Sequence, residues 1–372
     1  MLFCDQWHLH QQQDGLAPHS GARRCGGGGP QLPQIGLALH HHDRCDPGIF
    51  KAHAQPLWHH RPHSQRRIRA SSHPEKNCRQ PAVKGCGYQK NQATSADDYA
   101  VHYDGVLYNT ETVKSMLDGY VDNLHFDEAW LPHAAFHPFY GSYHAMGKKR
   151  VRPKHAVVYA TQSIHKLLAG ISQASHVLVQ DSQTVQLDRH LFNEAYLMHT
   201  STSPQYSIIA SCDVAAAMME PPGGTALVEE SIAEALDFRR AMRKIDEEYG
   251  DDWWFKVWGP EKLVDEGIGR SDDWVLKGEA KSGGKNGKVN WHGFGRMASG
   301  FNMLDPIKAT IVTPGMDLNG RFAKTGIPAS IVTKFLAEHG VVVEKTGLYS
   351  FFIMFTIGIT KGRWNSMLTA LQ

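Results

Sequence analysis

From Tyr103 to the C-terminus, short apolar runs alternate with stretches of helical spacing, whereas residues 1–102 keep neither a period of 2 nor one of 3.6 in any window. Asn109 or Thr110 can cap a helix through Asp118, with Glu111 in its first turn and Gly119 near its end. Residues 121–126 read as a buried strand, and a loop rich in His, Pro and Tyr follows over 131–146. Residues 155–160 and 176–179 read as two further strands, and 189–199 and 206–219 as helices. Strands alternating with helices predict a mostly parallel sheet with helices on both faces.

Pro221-Pro222-Gly223-Gly224 marks the clearest internal boundary. Beyond it, residues 225–249 form an amphipathic stripe with Leu227, Ile232, Leu236 and Met242 near one face. Strands are expected at 253–258, 308–312, 341–343 and 351–359, and a polar, Gly-rich loop at 270–300. A helix is expected over 328–338, ended by Gly340, and a last one over 361–371. This pattern predicts a second domain of α plus antiparallel β type, with no internal repeat.

A length of 372 residues agrees with about two domains. A net charge of +2 with 20% charged residues argues against a dedicated nucleic-acid or membrane-surface binder. The most apolar run, 349–359, is too short to span a bilayer. Cys4 and Asp5 follow Met1-Leu2-Phe3 at once, which does not fit a secretory signal, so a cytoplasmic location is expected.

Those averages hide two unlike parts. Residues 1–102 carry five of the six cysteines and twelve of the 23 histidines. A disordered tail suits that composition. A His/Cys metal site is disfavoured, because no Cys-x-x-Cys pair occurs. The favoured reading is a segment out of frame. Codons chosen for Gln6 to Asp14 can yield Asn-Gly-Thr-Ser-Thr-Ser-Asn-Lys after a one-base shift. The same shift turns Gly26 to Ile35 into Val-Val-Val-Asp-Arg-Asn-Cys-His-Lys-Ser, and Ala96 to His102 into Leu-Thr-Ile-Thr-Gln-Ser-Thr.

The candidate chemistry lies further along. Thr161-Gln162-Ser163-Ile164-His165-Lys166 puts a lysine where a buried strand gives way to a loop. A lone lysine is most often a solvated surface charge. At a strand end, after a Thr/Ser/His cluster, it also suits imine chemistry. Asp127 ends the preceding apolar strand, at the edge where open α/β sheets bind ligands. It is either a loop carboxylate or an ion-pair partner for a pyridine nitrogen, as pyridoxal phosphate (PLP) requires. His165 is either a structural histidine or a cofactor contact that moves a proton, and Ser163 either a loop residue or a phosphate donor. Ala129 is small enough to let a ring approach, and Trp130 is either core or cofactor wall.

The motifs HFDEAW (125–130), TQSIHKLL (161–168), SQAS (172–175) and FNEAYLMHTSTSP (192–204) closely resemble those of the bacterial PLP-dependent ornithine/lysine/arginine decarboxylases. So do MLDPIK (303–308), GIPASIV (326–332) and VVVEKTG (341–347). The resemblance implies an aspartate-aminotransferase-like α/β large domain, incomplete over 103–222, then a smaller α+β domain over 223–372, truncated at its C-terminus. Residues 1–102 lie outside the resemblance. It implies PLP as cofactor, Lys166 as its Schiff-base lysine and Asp127 as the pyridinium partner. Ser163, His165, Ala129 and Trp130 are implied as cofactor contacts, with His165 or Lys166 returning a proton. Ser201 is implied to approach the cofactor of a neighbouring subunit, within a homodimer or larger homo-oligomer. The implied reaction turns a basic amino acid into an amine and CO2, with lysine favoured by VVVEKTG, then arginine. Family members also carry an N-terminal domain, a longer C-terminal region, an Asn-Gly-Thr-Ser phosphate cradle and a ring-stacking histidine. The chain as written lacks these, and the two peptides are among those the one-base shift recovers.

Overall fold

The structure is a computed structural model and describes residues 93–99, 104–147, 150–201, 203–277, 291–294 and 297–372. The readings offered for residues 1–92 fall outside the described residues. Those described form two compact units, one of 93–99 with Asn109–Gly223, the other of 104–108 with Gly224–Gln372.

The first unit is built on a four-stranded sheet. Its strands are β1 (Ala93–Tyr99), β3 (Val121–Asp127), β4 (Val157–Ser163) and β5 (Ser175–Gln180), in the order β1-β3-β4-β5. A strand at 93–99 lies within residues 1–102, the stretch whose sequence keeps no strand period. Its backbone runs parallel to β3, from Ala93 opposite Val121 to Tyr99 opposite Asp127. Such a ladder is made of main-chain groups, so it can form where the sequence shows no period. β3 and β4 are parallel, with Asp127 opposite Thr161, and β5 returns antiparallel, with His176 opposite Gln162. The link between Ser163 and Ser175 holds only the single turn 164–167 and no crossover helix, in keeping with that reversal.

Helix α1 (Thr110–Leu117) precedes β3, and Asn109 caps it by accepting the Thr112 N–H at 3.0 Å. Asp118, at its end, accepts the N–H groups of Lys154, His155 and Ala156 and so holds the approach to β4. The expected loop at 161–166 is instead the last residues of β4 followed by a single turn, α2 (Ile164–Leu167). Helices α3 (Arg189–His199) and α4 (Tyr206–Met218) supply two core clusters. Val157, Tyr159 and Val177 pack with Phe192 and Tyr196 of α3, while Ile164 and Ala174 pack with Cys212 and Ala215 of α4. The second cluster seats the α2 turn against a helix.

In the second unit, β2 (Val106–Tyr108) pairs with β7 (Asn302–Leu304), which places 104–108 here rather than with the first unit as expected. A second sheet, wholly antiparallel, has the order β6 (Lys256–Val257), β8 (Lys308–Val312), β10 (Ser350–Met354), β9 (Lys345–Thr346). Helix α5 (Gly223–Tyr249) buries Val228, Ile232, Ala235, Phe238 and Met242. It also buries Arg239, whose guanidinium donates to the carbonyls of Trp258 at 2.6 Å and Lys308 at 2.9 Å. Helices α6 (Ala329–Glu338) and α7 (Asn365–Leu371) complete it. Residues 341–343 do not form the expected strand. The Val341 N–H is taken by the Leu336 carbonyl, Val342 is 86% exposed, and pairing with β10 begins only at Glu344. The strands expected over 253–258 and 351–359 are each shorter than predicted, and the last helix starts at Asn365 after a turn.

Candidate active site

The carboxyl ends of β3 and β4 lie side by side in parallel, and the motif residues gather there. Alternation along each strand puts His125, Asp127, Thr161 and Ser163 on one face of the sheet. His125 Nε2 lies 3.1 Å from Thr161 Oγ1, linking the strands by side chains as well as backbone. Asp127 is half-buried, and its Oδ1 accepts the Ala129 N–H at 3.0 Å, which turns the chain sharply after the strand. The turn carries Ala129, half-buried, and Trp130, buried.

Ser163 ends β4 and precedes α2 without capping it through its hydroxyl. His165 and Lys166 stand on that turn, both half-buried. The backbone N–H of His165 donates to the Ala174 carbonyl at 3.1 Å, and Nδ1 lies 2.8 Å from the same oxygen. A carbonyl only accepts, so Nδ1 carries a proton, and Nε2 is the acceptor of the neutral ring. Lys166 Nζ sits 5.5 Å from the centroid of the Trp130 ring. That contact joins the β4 turn to the β3 turn.

Six of the seven residues singled out from sequence therefore come together at one sheet edge. Ser201 stands apart. It is exposed beyond α3, and its Oγ accepts the Ser203 N–H at 3.1 Å.

Sequence reasoning passed over Glu128, Gln162 and His176. Glu128 is fully buried, accepting the Ala145 N–H through Oε1 at 2.5 Å and Gln162 Nε2 through Oε2 at 2.7 Å. Burial pushes its carboxyl up to about 7, against the pull of those donors and of Lys114. The other Gln162 amide atom, Oε1, lies 2.8 Å from His176 Nε2. Two of the three belong to quoted motifs and His176 adjoins a third. The available signal was their place at positions opposite in parity to Asp127.

The donor set at this edge fits a phosphorylated pyridine aldehyde. It offers an amine at Lys166, a carboxylate at Asp127 for a ring N–H, and hydroxyls at Thr161 and Ser163. The family model described as "Orn/Lys/Arg decarboxylase, major domain" matches residues 52–363, reaching further toward the N-terminus than the motifs that begin after Tyr103. Lysine decarboxylase LdcA of Pseudomonas aeruginosa is 50% identical over 270 residues, covering 72% of this chain and 35% of that protein. The biodegradative arginine decarboxylase of Escherichia coli is 37% identical over 305 residues, covering 76% of this chain and 39% of that protein. The solved structure of lysine decarboxylase A from Pseudomonas aeruginosa superposes with a TM-score of 0.70 at 45% identity, covering 85% of this chain and 40% of that one. The chain thus spans about a third of the length of the curated relatives it matches. The aspartate-aminotransferase-like fold class expected from the motifs holds, and the chain belongs to the ornithine/lysine/arginine decarboxylase family.

Proposed function

We propose that this chain carries the lysine-bearing half of a PLP-dependent site for decarboxylating a basic amino acid, lysine before arginine and arginine before ornithine. The observation that carries the reading is that Asp127 stands at the end of β3 and Lys166 on the turn just beyond the adjoining parallel β4, with Trp130 bridging the two turns. When bound, PLP supplies an electron sink for the pair left behind as CO2 departs. Asp127 would hold the proton of a pyridine nitrogen, keeping the sink strong. Lys166 would anchor the cofactor, and its half-burial beside an indole limits water around Nζ. His165, oriented by Ala174, offers Nε2 as a proton carrier toward substrate. Ser163 would face the phosphate, and Ser201 a neighbouring subunit in a homo-oligomer. The substrate order follows the relatives, at 50% identity for the lysine enzyme and 37% for the arginine enzyme.

A second reading, a remnant with weak or no turnover, has its own support. The phosphate-cradle and ring-stacking peptides of the family do not appear in the chain as written. Incubation of the full chain with PLP tests both. A visible absorbance band that is absent in Lys166→Ala supports the site, and a band unchanged by that substitution overturns it. Release of CO2 from lysine, arginine and ornithine then ranks substrates, and no release despite the band favours the remnant.

A further inference from the structure

On the sheet face opposite Asp127, Thr161 and Ser163, a line of buried polar groups crosses three strands. Glu128 follows Asp127, Gln162 stands next to last in β4 ahead of Lys166, and His176 faces Gln162 from β5. With Glu128 ionised, above about pH 7, the direction of each bond is forced. The Glu128 carboxylate only accepts, so Gln162 presents nitrogen to it and oxygen to His176, whose Nε2 then carries a proton. The Ala145 peptide is gripped from both sides, its N–H by Glu128 and its carbonyl by Lys114 Nζ at 2.6 Å. Lys114 is itself buried on α1. A buried carboxylate is a poor source of stability, because desolvation offsets its hydrogen bonds; what it supplies is one geometry.

We propose that Glu128 is a positioning residue: through Gln162 and His176 it fixes the β4 end bearing Lys166 against the β3 end bearing Asp127, and through Ala145 it fixes the loop 131–146 beside them. The proposal deepens the reading of this edge as a PLP site and rests on it for its purpose.

Reversing the polarity of one link tests it. In Glu128→Gln, two amide nitrogens would meet, or the Gln162 amide would flip and drive the His176 proton from Nε2 to Nδ1, away from the wild-type arrangement. In Gln162→Glu, two carboxyls would meet. Combining both substitutions restores every bond, since the new amide at position 128 would donate to the new carboxylate at position 162, which would still accept from His176. Amide hydrogen exchange on the full chain without cofactor is the first measurement, with β8 peptides as internal reference. Each single variant should speed exchange in peptides covering 143–146 and 164–168 by about tenfold, and the double swap should return both near wild type. Exchange there unchanged in Glu128→Gln, an equal rise in β8, or a double swap no better than the singles would overturn the role. The second measurement is the yield of PLP fixed on Lys166 by borohydride, counted by peptide mass. It should follow the same pattern per folded molecule. If wild type fixes no PLP, the cofactor reading fails, and the exchange pattern still decides the role of Glu128.

Discussion

A carboxyl sealed from water answers to pH in the opposite sense from a surface acid. Glu128 is raised from 4.5 to about 7, so between those values the folded chain binds the extra proton, and this group lowers stability as pH rises. Above about 7 its contribution is level. His144, in the same loop as Ala145, runs the other way. Burial, then Arg150, lowers it from 6.5 to about 4, so its contribution is complete above 6.5 and is lost as pH falls toward 4. The two oppose each other between 4.5 and 6.5. In Glu128→Gln the opposing slope is removed, so stability should rise with pH more steeply than in wild type across that window, by about 1 kcal/mol per pH unit. Urea unfolding at several pH values checks this; a slope equal to that of wild type would contradict it.

The α2 turn is the element on which Lys166 depends, and it has little room. A Cβ at Gly170 would stand 2.8 Å from Ile164 Cγ2 and 2.9 Å from Ala174 Cβ, both on fully buried residues. Gly170→Ala should therefore cost about 1–3 kcal/mol by overpacking. It should also lower PLP fixation on Lys166 more than Ala169→Ser does, because the strain falls on the turn itself. Thermal unfolding and peptide mass together measure the pair. This turn also shows what the sequence could and could not disclose. Caps and strand ends are local, so the Asn109 cap and the end of the strand at Asp127 are legible, whereas the turn that carries Lys166 reads as a loop. The reversal of β5 follows a link with a single turn and no crossover helix, and the sequence pattern does not mark that difference. Val341 to Val343 carry strand-like side chains but turn away, because the helix end takes the first amide. The Glu128–Gln162–His176 line needed three strands in register before it could be seen.

At the scale of the whole molecule, a ligand held by Lys166 stabilises the unit that contains it by mass action. With PLP at a hundred times its Kd, amides of β3 and β4 that exchange by opening of that unit should slow about a hundredfold, equivalent to about 2.7 kcal/mol. The slowing should vanish in Lys166→Ala. Equal protection in that variant would place the cofactor elsewhere.

The first strand of the sheet is held to its neighbour through its backbone. β1 meets β3 along seven residues of a parallel ladder, from Ala93 to Tyr99. Such a ladder is made of amides and carbonyls, which every residue except proline supplies in full. A change of frame rewrites side chains and leaves those groups in place. The neighbour of the Asp127 strand is therefore held by groups common to the residues at 93–99, so a side-chain replacement there removes none of the ladder's own bonds unless it introduces proline.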